Sequence, residues 1–508
     1  MIGELRSFLT ETIRRVVFAL LLIALATSLA GVALAQEPAP AASKDLEQRV
    51  RELEEIIHGL QVPTSSTVQR AGLTASTPKP VTDAGQGEKI TASTLEITQS
   101  EKKEEKKPAF TAGWDKGFLL QSEDKSFLLR FTGQIQGDYR AFLETNDRTD
   151  NDTFLVRRAR LGIEATVAKY YEFRLLPDFG QGQSKVQDAY LNIRYWDELQ
   201  FEFGRFKQPF GFEQLIQDRF VPTVERSIID QLVPQRDVGV MIHGQNLFDG
   251  RLDYGVAVSN GEVNGDLDTN DVKDFSGRVT VRPFYTEEPG GLLRQLRLGI
   301  SGTTGKEEEA IFPNLLRTPA TVPWFQYNAA VRADGVRNRW SPEVSYFYQG
   351  LGFAAQYFRQ DQKLRPAFFG AGSKTLIDLP SEGFFVMTTL LLTGEERTGY
   401  SEAISPLRPF DPHCWTGFGA WELVARVSRL ELGDAVFAPG TARLADPTRF
   451  SRGATEMTLG FNWYLNQWVR AQMNWEHAWF DEAVRLGPGL NGLFRHEDTL
   501  LARMQVIF

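Results

Sequence analysis

The stretch LLARMQVIF (500–508) decides the fold. Leu500, Ala502, Met504, Val506 and Phe508 alternate with Leu501, Arg503, Gln505 and Ile507. A β-strand turns successive side chains to opposite faces, so one face here is continuously apolar and the other offers Arg503 and Gln505 to water. In a soluble sheet the apolar face would meet a core. In an outer-membrane barrel it meets lipid.

The other end of the chain agrees with the second reading. Arg14 and Arg15 precede an apolar run from Val16 to Leu29, and Ala33-Leu34-Ala35 stands before Gln36 like a cleavage site. A charged start, a short apolar core and a small-residue ending predict a secretory signal peptide over 1–35. The apolar core is shorter than the ~20 residues a membrane helix needs. No Cys follows the site, which argues against a lipoprotein, and no long apolar stretch follows residue 35, which excludes a helical membrane protein. The terminal Phe508 resembles the signal by which barrel assembly machinery recognises outer-membrane proteins. The expected location is therefore the outer membrane of a Gram-negative-type envelope, with outer-membrane lipid around the barrel.

Composition fits an exported barrel. Mean hydropathy is −0.28, as expected when only alternate residues face lipid. Aromatics reach 12%, with 36 Phe, beside 44 Gly, which suits strands, girdles and turns. Cys414 is alone, so no internal disulfide can form. A net charge of −9 argues against nucleic-acid binding, but the lining of a pore, not the total charge, sets its selectivity.

Four segments follow from the pattern: signal peptide (1–35), periplasmic coiled-coil segment (36–62), disordered linker (63–112) and barrel (113–508). Leu46, Val50, Leu53, Ile57 and Leu60 repeat at spacings of 4, 3, 4 and 3, a heptad seam for oligomerisation. Two heptads are marginal alone, so this helix needs partners; an ordinary solvated amphipathic helix is the alternative. Residues 62–108 are rich in Pro, Ser, Thr and Gly with no aromatics, too polar to order themselves.

From Phe118 the period becomes two. Phe127, Leu129, Phe131, Ile135 and Tyr139 oppose Arg130, Gln134, Gln136, Asp138 and Arg140; Ala159, Leu161, Ile163, Ala165 and Val167 oppose Arg158, Arg160, Glu164 and Thr166. Further strands are predicted near 170–179, 186–195, 199–206, 237–245, 251–260, 275–284 and 294–304. Others follow near 339–349, 351–360, 383–394, 418–430, 455–465, 468–479 and 498–508. The expectation is an all-β transmembrane antiparallel barrel of about sixteen strands. Short links (349–350, 465–466) and long ones (305–338, 361–382, 394–417) predict short turns on one rim and long loops on the other.

Enzymatic constellations are absent from the sequence. The five His (His58, His243, His413, His477, His496) lack metal-ligand spacing, and no nucleophile elbow or phosphate-cradling loop occurs. No cofactor and no metal is expected. Arg is the informative residue on the water-facing side: Arg130, Arg140, Arg158, Arg160, Arg174, Arg194, Arg278, Arg282, Arg426 and Arg503 all oppose apolar neighbours. Such residues either pair with carboxylates across strands, as Glu164, Asp178 and Asp188 allow, or give a positive lumen that selects anions.

RRARLGIE (157–164), DAYLNIRY (188–195), FGRFKQPFGFE (203–213), ERS (225–227), RDVGVMIHG (236–244), LLTGE (391–395), WELVAR (421–426) and LGFNWYLN (459–466) together resemble the phosphate-selective porin O/P family. The colinear series covers the chain from about Phe127 to Phe508. The resemblance implies a sixteen-stranded barrel, usually trimeric, whose third loop folds inward as a constriction; here that loop is Phe210 to Gln235. By motif, the constriction arginines fall on Arg157, Arg158 and Arg226, with Asp188 nearby. Two departures stand out. The family's closely spaced Arg ladder is reduced to Arg278 and Arg282, and the loop reads Gln217-Asp218-Arg219 where phosphate-specific members carry serines. The expected function is a passive channel for small anionic solutes with modest anion preference, pore-lined by Arg157, Arg158, Arg160, Asp188, Arg226, Arg278 and Arg282. A structural anchor whose coil grips the cell-wall layer, and an outer-membrane enzyme, are the alternatives.

Overall fold

The computed structural model describes residues 109–143, 151–261, 271–288, 290–366, 375–413, 417–485 and 494–508. The expected signal peptide and coil, and the linker up to residue 108, lie outside them.

The first strands are β1 (Phe110–Trp114), β2 (Phe118–Ser122), β3 (Leu128–Phe142), β4 (Thr153–Val167), β5 (Tyr171–Asp178), β6 (Lys185–Trp196) and β7 (Leu199–Lys207). Next come β8 (Arg236–Asn246), β9 (Leu252–Ser259), β10 (Asp274–Val281), β11 (Arg297–Glu307), β12 (Leu315–Arg317) and β13 (Pro323–Gln326). The chain ends with β14 (Arg332–Tyr348), β15 (Leu351–Arg365), β16 (Ile377–Leu391), β17 (Ala420–Leu432), β18 (Gly453–Tyr464), β19 (Val469–Val484) and β20 (Phe494–Ile507).

Eighteen of these strands form one sheet; β1 and β2 are a hairpin at its margin, and the other sixteen close a barrel. Closure joins β20 to β3, from Thr499 opposite Phe142 to Ile507 opposite Gln134. Below the end of β20, β2 takes over as partner of β3, with Phe118 opposite Phe131. Strand β1 starts at Phe110, so the last three residues assigned to the linker, Phe110 to Ala112, belong to a strand instead. Their partner edge on β2 supplies the backbone hydrogen bonds that the composition could not reveal.

The alternation reads out as expected. On β20 Met504 and Val506 face outward and exposed, while Arg503 and Gln505 are buried inside. Trp114, Phe118, Trp468 and Phe508 cluster at one rim, part of an aromatic girdle.

Antiparallel neighbours put links alternately on two rims. The links 168–170, 197–198, 349–350 and 465–468 are short and share a rim. The link 392–419 is long yet lies on that same rim, which corrects the expected asymmetry. It folds into the lumen: Tyr400 is buried, its ring 5.0 Å from Phe347 and 6.2 Å from Phe212. The other two expected long links, near 305–338 and 361–382, do lie on the opposite rim, and the first carries the unforeseen hairpin β12–β13.

Inside, the barrel is unevenly filled. Phe358, Phe385, Leu430 and Phe480 point inward from β15, β16, β17 and β19. They pack with Phe210, Ile228 and Ile229 of 208–235, with Trp324 and Phe325 of β13, and with Val436 and Leu444 of 433–452. This apolar core inside a membrane barrel explains inward apolar positions on strands whose outer face is also apolar.

Candidate functional site: the loop across the lumen

The segment between β7 and β8 has no strand and crosses the lumen, as expected for Phe210 to Gln235. Its base is pinned where Gln208 N–H donates to the Gln235 carbonyl at 2.9 Å. Its far side is held by polar residues at inward parity. Val224 N–H donates to Asn474 Oδ1 at 2.6 Å, and the Pro222 carbonyl accepts from Asn462 (2.9 Å) and Gln472 (3.0 Å). The Arg219 carbonyl accepts from Arg470 and Gln505, each at 3.1 Å. A loop without sheet partners buries many carbonyls, and these side chains satisfy them.

Two loop carboxylates gather the arginines. Glu225 accepts from Arg157 Nε at 2.7 Å, Arg503 Nη2 at 2.9 Å and Arg140 Nη2 at 3.3 Å, with Arg158 Nη2 at 3.6 Å. Asp218 meets Arg226 Nη1 at 2.7 Å, Arg158 Nη2 at 3.3 Å and also Arg160. Burial opposes the charge of both carboxyls, yet the guanidiniums prevail. Arg160, Arg226 and Arg158 hold Asp218 well below the usual carboxylate range, and Arg157, Arg158 and Arg503 do the same for Glu225.

Arg157 reaches this cluster through a β-bulge. The register between β3 and β4 slips between Gln136 and Gly137, leaving Arg157 as the extra residue. Phe154 and Val156 therefore face outward while Arg158, of the same parity, is buried inside. The end of β5 fits the bulge: Asp178 accepts from Ala159 N–H at 3.2 Å and from Arg160 Nε at 2.7 Å.

Arg157, Arg158, Arg160 and Arg226 are thus brought together, but as ion-paired groups. Asp188 is held by Arg236 at 2.6 Å and Arg174 at 3.2 Å. Arg278 pairs with Glu343 on β14, and Arg282 donates to Asn246 on β8 at 2.9 Å, so the structure does not bring these two into the cluster. Glu225 and Glu213 escaped the sequence reading, although Glu225 adjoins Arg226 in the ERS motif. Asn462, Gln472 and Asn474 could have been found by parity, as amides inside apolar runs. Fully buried Arg426 completes the clamp, bonded to Glu213, Thr223 and Glu456.

Beside the loop lies a cavity of about 360 Å³. Its described lining includes five basic side chains, Arg160, Arg174, Lys207, Arg219 and Arg236, against three acidic ones, Asp188, Asp218 and Glu202. Lys207 Nζ donates to the Gln214 (2.6 Å) and Ile216 (2.8 Å) carbonyls. Among the described residues no group of His, Cys, Asp and Glu is placed to hold a metal ion.

No curated protein matches the chain significantly. Among solved structures, it is similar to outer-membrane-expressed OmpT of Vibrio cholerae at 10% identity, covering 77% of this chain and 100% of that one, with a TM-score of 0.45. An anion-selective porin from Comamonas acidovorans gives 10% identity, 75% and 100% coverage and a TM-score of 0.45. OmpF of Salmonella typhi, in complex with daunomycin, gives 10%, 78% and 100%, and 0.44. Residues 129–508 match the family described as Phosphate-selective porin O and P, and the chain belongs to that family: it is an outer-membrane β-barrel porin, a non-enzymatic channel.

Proposed function

We propose that this porin is a passive water-filled channel with a modest preference for small anions, working as a homotrimer. The observation that carries the preference is the cavity beside the loop, with five basic against three acidic side chains in its described lining. Fixed positive charge facing confined water raises the local anion concentration. The excess is small because Arg158, Arg160 and Arg226 spend their charge on Asp218 and Glu225. The test is the reversal potential of refolded protein in a planar bilayer under a potassium chloride gradient. A mildly anion-selective value is expected; strong cation selectivity would refute the reading.

A further inference from the structure

We propose that Asp218 is a tethered internal anion, occupying an oxyanion-binding cage made by Arg158, Arg160 and Arg226 and thereby setting the low anion selectivity of this channel. The inference rests on the channel reading above and names the residue that tunes it.

Three guanidiniums from two elements converge on one buried loop carboxylate. Arg226 Nη1 and Arg158 Nη2 reach Oδ1 at 2.7 and 3.3 Å, and Arg160 takes Oδ2. Guanidinium forks fit carboxylate and phosphate oxygens alike, so a carboxylate held by three of them stands where a solute oxyanion would.

The cage does not depend on its tenant. Arg158 Nη1 also donates to Gln136 Oε1 at 2.8 Å, and Arg160 Nε to Asp178 at 2.7 Å. Arg226 donates to the Glu213 carbonyl at 3.2 Å and the Ile216 carbonyl at 2.8 Å. Removing the Asp218 charge therefore leaves three positioned cations. Asp218 and Arg160 both line the cavity of about 360 Å³, so an anionic solute in that cavity meets guanidiniums whose charge is no longer compensated.

Asp218→Asn keeps the shape and removes the charge. In bilayers it should move the reversal potential toward anion selectivity, and inorganic phosphate should block its chloride current at a concentration about tenfold lower than in the unaltered channel. A variant of normal conductance with unchanged reversal potential and phosphate sensitivity overturns the proposal. Should Asp218→Asn fail to fold, Arg226→Gln reads the same balance with opposite sign. It uncovers the Asp218 charge and should shift the reversal potential toward cations, and no shift overturns the proposal equally. Absence of current in the unaltered protein would defeat the channel reading instead. Calorimetry with inorganic phosphate then decides separately, with binding expected to Asp218→Asn and none to the unaltered protein; no binding to either overturns the cage.

Discussion

Gly133 and Phe508 are paired across the barrel seam: Gly133 N–H donates to the Phe508 carbonyl at 2.8 Å, and Phe508 N–H returns the bond at 3.0 Å. The Phe508 ring lies over Gly133 so closely that a Cβ there would run into it. Trp114 and Phe118 of the hairpin stand 6.4 and 6.0 Å from the same ring. Deleting Phe508 should therefore lower the amount of folded protein in the outer membrane by opening the seam. Gly133→Val, which keeps Phe508 but puts a side chain into its ring, should lower it likewise. Heat-modifiable protein at unaltered levels in both variants would show that neither matters.

Arg426 holds the loop from the far wall, with Glu213 Oε1 at 3.2 Å and Glu456 Oε1 at 3.0 Å. Arg426→Met leaves two buried carboxylates without their cation, a loss of about 3–5 kcal/mol for a pair of this kind. The expected result is an inserted barrel with a loosened loop, seen as faster proteolysis within 208–235 and noisier single-channel current. Quiet channels and an uncut loop would place the clamp elsewhere.

Substituting Arg158 and Arg226 together by Ala strips Asp218 of two of its three partners. The reversal potential should move toward cation selectivity. The shift should be clearest at low salt, since at about 0.1 M charges are screened over roughly 10 Å. An unchanged value would mean that these arginines are structural pairs with no hold on permeation.

Loop carboxyls set the pH response. Asp218 and Glu225 have depressed pKa values, so their contribution is present above about pH 4 and is lost only as pH falls through the depressed values. Asp230 goes the other way: burial first, then Glu213, against the pull of Arg226, push it up to about 6. Its contribution is full below about pH 4 and fades as pH rises through about 6. Conductance titrated between about pH 4.5 and 7.5 should show a small step near 6 that Asp230→Asn abolishes, with no loss of the loop clamp. A large collapse of conductance in that range would contradict the depressed values.

The heptad of Leu46, Val50, Leu53, Ile57 and Leu60 predicts self-association of a 36–70 peptide, which Asp at both Leu53 and Ile57 should abolish, since a charge at a seam position is costly. Sedimentation of the unaltered peptide as a monomer at high concentration would reduce it to a solvated helix.

The alternation of Ile135 against Gln136, or Met504 against Arg503, was legible in the sequence because facing lipid or lumen is a property of parity along a strand. The number of barrel strands followed from the same rule, whereas the inward loop came only from the resemblance of the motifs to the porin family. The Arg157 bulge, by contrast, is a slip between two strands, visible only once β3 and β4 are in register. The inward turn of 392–419 depends on Phe212 and Phe347 meeting Tyr400, residues far apart in the chain. The sequence could place Arg158 and Arg226 in the lumen, but not say whether their charge was free. That depended on where Asp218 and Glu225 came to rest, because an ion pair is a matter of distances of about 3–4 Å between groups that the chain order leaves unrelated.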